Sequence, residues 1–147
     1  KEIAFQKAIA VKKRIPKSDN FIVAGDNIVV RGKKTYDKTD EITKVQKYLS
    51  DLSGRRHIVF GGLCVLSPSG EISKKTIKTE VFFKKLSYSE LHDIALQTDG
   101  LNKAGGYAIQ SMGCLIISKL KGSYYNVVGF CLFELVKMLK GLGWKKI

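Results

Sequence analysis

The segment that most constrains the fold of this chain is FIVAGDNIVV, residues 21–30. Two apolar runs rich in β-branched residues, a composition typical of buried strands, flank the polar group Gly25-Asp26-Asn27. One interpretation makes this group a tight turn between two strands, because Asp and Asn suit turns. The other makes Asp26 a carboxylate at a strand end in apolar surroundings, where a charge needs a counter-charge or a bound cation.

The net charge of +13, from 26 basic and 13 acidic residues, constrains the class of ligand. A strongly positive field attracts polyanions such as nucleotides, nucleic acids and anionic lipids. All but four of the basic residues are lysines, whereas sequence-specific nucleic-acid binding depends on the bidentate arginine fork. The charge therefore indicates a compositional lysine bias first, an anionic substrate second and a nucleic acid third.

Length and cysteine usage predict a single cytoplasmic domain over residues 1–147. No apolar run approaches the roughly 20 residues that span a bilayer, and no stretch resembles a signal peptide. Cys64, Cys114 and Cys131 stand singly among apolar residues, so we expect three buried thiols in a reducing compartment. Because the chain enters a helical pattern directly at Lys1, we expect the domain to be incomplete at its amino terminus.

Helical and strand patterns alternate along the chain. Apolar spacing predicts helices over residues 1–15, from an N-cap at Thr39 or Asp40 to about Leu52, over 88–96 after a Ser87–Glu90 capping box, and over 130–142. Strands are predicted over residues 57–66, 72–83 and 114–120, and residues 31–38 are predicted to be a polar loop. Interleaved helices and strands favour an α/β fold with a mixed sheet and flanking helices.

Few residues in the sequence form a pattern that indicates a catalytic or metal-binding site. His57 and His92 lack metal-ligand spacing, so we expect both to be structural, and no P-loop, GxGxxG or nucleophile elbow is present. Asp26 remains, together with nearby lysines and two polar residues that lie close to glycines: Lys33, Lys34, Lys38, Gln110 and Asn126. A carboxylate that holds a divalent metal and lysines that neutralise phosphates suit phosphoanhydride chemistry. The alternative is an ordinary solvated loop.

Two segments resemble signature sequences of the Maf family of nucleotide pyrophosphatases. KAGGYAIQ, residues 103–110, resembles KAGxYxIQ, and GSYYNVVG, residues 122–129, resembles GSYxNVxG. Shorter similarities, in matching order over the whole chain, are LSGRRH at 52–57, TEV at 79–81, AGDNIV at 24–29 as a strand that ends in aspartate, and the helical pair Lys7-Ala8.

The resemblance implies hydrolysis of nucleoside triphosphates between the α and β phosphates, with Mg²⁺ or Mn²⁺, in two lobes around a central cleft. By position it implies that Asp26 is the proton acceptor and metal-side group, and that Lys38 and Lys7 are catalytic lysines near the phosphates. Gln110 corresponds to a residue that sets base preference. A glutamine there resembles the subgroup that acts on dTTP and UTP rather than on 7-methyl-GTP.

The chain also departs from the family pattern. The Ser-x-Ser-x-Arg-Arg segment that contacts phosphates has no counterpart, nor has an acidic site residue that follows it. Asn27 and Gly61 each stand where threonine is usual, and we expect Asn27 to bind substrate and to alter base selection. Asp37 replaces a proline before Lys38, and Phe130-Cys131 replaces Leu-Pro.

Three functional hypotheses therefore stand. The first is a nucleoside triphosphate pyrophosphatase that uses a divalent metal, with dTTP or UTP as substrate and no membrane partner. The second is a nucleotide-binding remnant that has lost turnover. The third is a basic nucleic-acid-binding domain, which would need aromatic residues interleaved on a basic surface, whereas the tyrosines and phenylalanines here mostly fall on core-like positions. A homodimer is open as an alternative to a monomer.

Overall fold

In the computed structural model, which describes residues 1–16, 19–97 and 99–145, helices and strands alternate as the sequence predicts. The helices are α1 (Glu2–Arg14), α2 (Ile42–Leu52), α3 (Tyr88–Leu96), α4 (Gly113–Ile116), α5 (Tyr124–Val128) and α6 (Leu132–Gly141), and a 3₁₀ turn spans Ala104–Gly106. The strands are β1 (Ile22–Arg31), β2 (Lys34–Tyr36), β3 (Arg56–Leu66), β4 (Ile72–Phe83) and β5 (Ile117–Lys121).

The strands form an antiparallel sheet in the order β2-β1-β3-β4-β5, so the predicted mixed sheet is wrong. Alternating helices and strands do not fix strand direction, because a helix can connect strands that are not neighbours. Here α2 connects β2 to β3, and β1 lies between them. The fold is therefore α/β in the order of its elements but antiparallel in its sheet.

Asp26 lies in the middle of β1 rather than in a turn or at a strand end, so both placements predicted from the sequence are wrong. The strand is continuous from Ile22 to Arg31, and Asp26 faces Gly62 of β3 in register. The two apolar runs are thus halves of one long strand. A backbone ladder on the β3 side holds the polar residues in extended conformation, and this ladder outweighs the turn preference of Asp-Asn.

Local sequence signals place most other elements correctly. The capping box at Ser87 is present with both of its hydrogen bonds, and α3 and β4 have the predicted bounds. The chain differs from prediction at β2, which forms within the predicted polar loop, and at 113–116, which is helical before β5 begins. Helix α2 begins one or two residues later than predicted, after Glu41, and α6 begins at Leu132. Cys114 is exposed rather than buried.

Helices cover both faces of the sheet. The largest apolar cluster packs α2 and α3 against Val29, Val59 and Val81 on one face. Farther along β3 on the same face, Leu63 and Val65 contact α6. On the opposite face, Ala4 and Ala8 of α1 pack against a smaller cluster that consists of Ile22, Cys64 and Leu66. None of the helices in the described ranges has the length and apolar character of a membrane-spanning helix.

Strand β1 has a free edge that positions the functional site. β3 pairs with β1 from Ile22 to Val30, but β2 pairs with its other side only from Val29 to Arg31. Within the described residues, no strand covers the outer side of β1 from Ile22 to Ile28. This half of the strand, which includes Asp26 and Asn27, is therefore open to other elements.

His57 is a structural residue, as predicted. Its Nε2 lies 2.8 Å from the Tyr107 hydroxyl, and its ring packs edge-on against Phe83 and Tyr107. The side chain is 1% exposed, and burial lowers its pKa to about 4. Burial also raises the pKa of Tyr107, so both groups are neutral at pH 7.

The buried neutral His57 predicts that acid destabilises the fold. Its pKa is about 4 in the folded chain and about 6.5 when unfolded, so between these values the unfolded chain binds the proton more tightly. The stability that neutral His57 supplies is present above pH 6.5 and is lost as the pH falls toward 4. We expect the unfolding free energy to fall by about 2 kcal/mol more in wild type than in His57→Gln between pH 7 and pH 5, measured by urea unfolding. His92→Gln, a change at an exposed histidine, should retain the acid sensitivity. An equal loss in wild type and His57→Gln would contradict this assignment.

Candidate functional site

A cleft runs along the free edge of β1 and brings the sequence-predicted site residues together. Its lining residues come from α1, the centre of β1, the segment after β2, residues 102–110 and the end of α5. Five of them are the residues predicted to act in catalysis or substrate binding: Lys7, Asp26, Asn27, Lys38 and Gln110. Lys7 and Gln110, the two most distant of these residues in sequence, are 103 positions apart, yet all five line one cavity.

An ion pair between Lys7 and Asp26 forms part of the lining of this cleft. Lys7 Nζ donates to Asp26 Oδ1 at 2.6 Å and lies 3.5 Å from the Gly25 carbonyl oxygen. The Asp26 side chain is only 16% exposed, whereas that of Lys7 is 50% exposed. Alternation along β1 directs Asp26 toward the face that α1 covers, where Lys7 can reach it. The pair leaves an oriented carboxylate beside a partly solvated ammonium group.

The charges that line the cleft favour a polyanionic ligand. Three lysines, Lys7, Lys38 and Lys103, share the lining with one carboxylate, that of Asp26. Two other lysines predicted to lie near Asp26 are elsewhere. Lys34 forms an ion pair with Asp51, which raises the Lys34 pKa, and Lys33 is not among the lining residues. Lys103 was not singled out from the sequence, although it is the first residue of the KAGGYAIQ segment.

Residues 102–104 and 107–110 line the cleft, and a glycine turn connects these two segments. Gly105 and Gly106 have φ values of 81° and 71°, a left-handed conformation that side chains disfavour. The turn buries Tyr107 against His57 and Phe83, and the chain then leads to Gln110. Gln110 is exposed at the cleft, so its amide is available to a ligand.

Asn27 points toward the opposite face of the sheet from Asp26. Its Nδ2 donates to the Asn126 carbonyl oxygen at 2.6 Å, and its Oδ1 is buried with no hydrogen-bond partner among the described residues. Asn27 is among the residues that line the cleft, and one of the two N–H groups of its amide binds the protein. The sequence does not reveal this contact, because 99 residues separate the two asparagines.

The metal-binding capacity of the cleft is limited to one carboxylate. Within the described ranges no cluster of three His, Cys, Asp or Glu side chains is arranged to hold a metal ion. Mg²⁺ commonly binds through one or two carboxylates together with substrate phosphates and water. Asp26 therefore fits a metal that is bound jointly with a phosphate ligand and does not fit a site formed by protein ligands alone.

Comparisons with known proteins agree on one family. A family model described as Maf-like protein matches residues 1–142. The dTTP/UTP pyrophosphatase of Paramagnetospirillum magneticum is 39% identical over 144 residues, which cover 98% of this chain and 75% of that protein. The dTTP/UTP pyrophosphatase of Chelativorans sp. is 38% identical, with 99% and 71% covered. The nucleoside triphosphate pyrophosphatase of Neorickettsia sennetsu is 36% identical, with 97% and 68% covered.

The packing around Asn126 predicts that Gly61 tolerates no side chain. A Cβ at Gly61 would overlap Asn126 Oδ1 and would lie 3.0 Å from Asn27 Oδ1. Asn126 is buried and hydrogen-bonded to two strands, so it cannot move aside freely. We expect Gly61→Ala to lower the unfolding free energy by about 2 kcal/mol. Gly141→Ala is the control, because a Cβ there meets no atom within 4 Å and alanine favours the helix. Equal stabilities of the two variants in urea would contradict this account of the packing.

Proposed function

The chain belongs to the Maf-like protein family, and we propose that it hydrolyses nucleoside triphosphates, with dTTP and UTP preferred, to the monophosphate and pyrophosphate. The observation that carries the proposal is the Lys7–Asp26 ion pair in a cleft lined by two further lysines. A strongly basic cleft with one oriented carboxylate matches the charge of a triphosphate and supplies one group that can accept a proton. The cytoplasmic location predicted from the sequence is part of this proposal.

Each charged residue has a distinct role in the proposed reaction. Asp26 accepts the proton of the attacking water, and Lys7 holds the carboxylate in place through their 2.6 Å contact. Lys7 and Lys38 offset the negative charge of the phosphates and of the leaving pyrophosphate. A Mg²⁺ or Mn²⁺ ion that arrives with the triphosphate, and that Asp26 helps to hold, would neutralise further phosphate charge.

We propose that base preference depends on Gln110, another residue of the cleft lining. A glutamine side chain both donates and accepts hydrogen bonds, which suits the imide edge of thymine or uracil. Gln110 and Asn102 both line the cleft with exposed side-chain amides, and Gln110 is the one at the position that the family resemblance associates with base preference. We assign base selection to Gln110. One amide N–H of Asn27 is bound to the Asn126 carbonyl oxygen, which leaves its second N–H for a ligand.

Asp26→Asn tests the catalytic assignment, because the amide keeps the volume of the side chain but carries no charge. We expect the gain in dTTP affinity on addition of Mg²⁺ to be at least about tenfold smaller in the variant than in wild type. We also expect the rate of pyrophosphate release to fall about a hundredfold or more. Asp51→Asn is the matched control, because Asp51 also pairs with a lysine but lies outside the cleft. It should leave both properties unchanged.

Two results would contradict the assignment. Wild-type turnover by Asp26→Asn would remove Asp26 from the reaction. Wild-type chain that binds dTTP but releases no pyrophosphate under any divalent metal would support the nucleotide-binding remnant instead. The binding measurement by calorimetry and the release assay together separate these outcomes.

Gln110→Glu tests base selection, because it keeps the size of the side chain, removes the amide donor and adds a charge. We expect dTTP affinity to fall at least about tenfold more than the affinity for inorganic pyrophosphate, since only dTTP carries the imide edge. Gln97→Glu makes the same charge change at an exposed residue outside the cleft and should alter neither affinity. An equal loss for dTTP and GTP in Gln110→Glu would show that Gln110 does not select the base.

A further inference from the structure

Two segments singled out in the sequence meet in a buried hydrogen-bonded cluster outside the cleft. Thr79 belongs to β4, and Asn126 belongs to α5. They are 0% and 1% exposed, and neither lines the cleft. The proposed reaction assigns no role to either residue, although a buried polar cluster next to a binding site must have its hydrogen bonds satisfied to be tolerated.

The Thr79 hydroxyl fixes the start of α5 to the sheet. Its Oγ1 accepts from the Ser123 backbone nitrogen at 3.2 Å and from Asn126 Nδ2 at 3.0 Å, and it donates to the Ser123 carbonyl oxygen at 3.2 Å. A hydroxyl has one proton to donate and two lone pairs to accept with, so this group is fully used. The Ser123 side chain adds a cap by accepting from the Asn126 backbone nitrogen at 3.2 Å.

Asn126 extends the connection from β4 to β1. Its Nδ2 lies 3.2 Å from the Val59 carbonyl oxygen and 3.3 Å from the Ile77 carbonyl oxygen, so the amide bridges β3 and β4. The backbone carbonyl oxygen of Asn126 accepts a hydrogen bond from Asn27 Nδ2 at 2.6 Å. A continuous series of hydrogen bonds thus runs from Thr79 through Asn126 to Asn27, which lines the cleft beside Asp26.

The surroundings leave Asn126 little freedom to move. Asn126 Oδ1 occupies the space that a side chain at position 61 would fill, and this space is free because residue 61 is glycine. The residues that follow Asn126 in the chain, Val127, Val128 and Gly129, line the cleft. A shift of Asn126 would therefore move Asn27 on β1 and the α5 wall together.

We propose that Thr79 and Asn126 are positioning residues that hold Asn27 in the geometry required by the nucleotide. The ligand in this inference is that of the proposed function. Thr79 contacts no ligand itself, and its effect passes through Asn126 to Asn27. Phosphate binding by Lys7 of α1 and by Lys38, between β2 and α2, does not depend on this connection.

A double-mutant cycle tests the connection. Thr79→Val removes the hydroxyl at nearly constant volume, and Thr79→Ser restores it. We expect Thr79→Val to weaken dTTP binding about tenfold and inorganic pyrophosphate binding less than about twofold, with Thr79→Ser close to wild type. In an Asn27→Ala background, Thr79→Val should weaken dTTP binding less than about twofold, because the link is already broken. The same loss in both backgrounds, or no loss in a folded Thr79→Val chain, would overturn the inference.

A second measurement decides the inference without nucleotide. Hydrogen exchange of the Asn27 side-chain amide, followed by NMR, reports directly on its bond to Asn126. We expect exchange to accelerate about tenfold in Thr79→Val, and in Thr79→Ala if Thr79→Val does not fold. Unchanged exchange would overturn the inference. Wild-type chain that binds neither dTTP nor pyrophosphate would refute the proposed function, and the exchange rates would still decide whether Thr79 holds Asn27.

Discussion

The register between β1 and β3 is the constraint on which the rest of the structure depends. It places Asp26 opposite Gly62 and Asn27 opposite Gly61, at the centre of the sheet. Successive strand residues point to opposite faces, so the two glycines open one space on each face. Asn126 of α5 occupies the space at Gly61, and the backbone of Lys1, which precedes α1, lies 2.6 Å from where a Gly62 Cβ would be. Both layers of helices thus approach the sheet where its polar residues lie.

This arrangement explains how β1 contributes residues from both of its faces to one cleft. Asp26 meets Lys7 of α1 on one face, and Asn27 meets Asn126 of α5 on the other. The free edge of β1 exposes both residues to a single cavity, whose lining also includes Lys38, Lys103 and the residues that follow the glycine turn at 105–106. The overall charge of +13 becomes functionally relevant here, because three lysines face one carboxylate in a partly enclosed space.

Much of the local structure follows from short-range signals. The capping box at Ser87 predicts α3 correctly, and alternation along 72–83 predicts β4, because these signals act between residues that are close in the chain. The predictions fail where tertiary contacts compete with local preference. Asp26-Asn27 favours a turn locally, but pairing with β3 keeps it extended. Strand direction also failed as a prediction, because the order of elements does not record which strands become neighbours.

The residue types of the site, the family and most element positions follow from composition, motif and local periodicity. The set of lysines that share a cavity with Asp26 instead depends on how distant segments pack together. Lys7 and Lys103 share this cavity, whereas Lys34 pairs with Asp51 although it is closer to Asp26 in sequence. Asn27 likewise bonds to Asn126 across 99 residues. The physical reason is that side-chain contacts depend on strand register and sheet face, and both arise from pairing between segments distant in the chain.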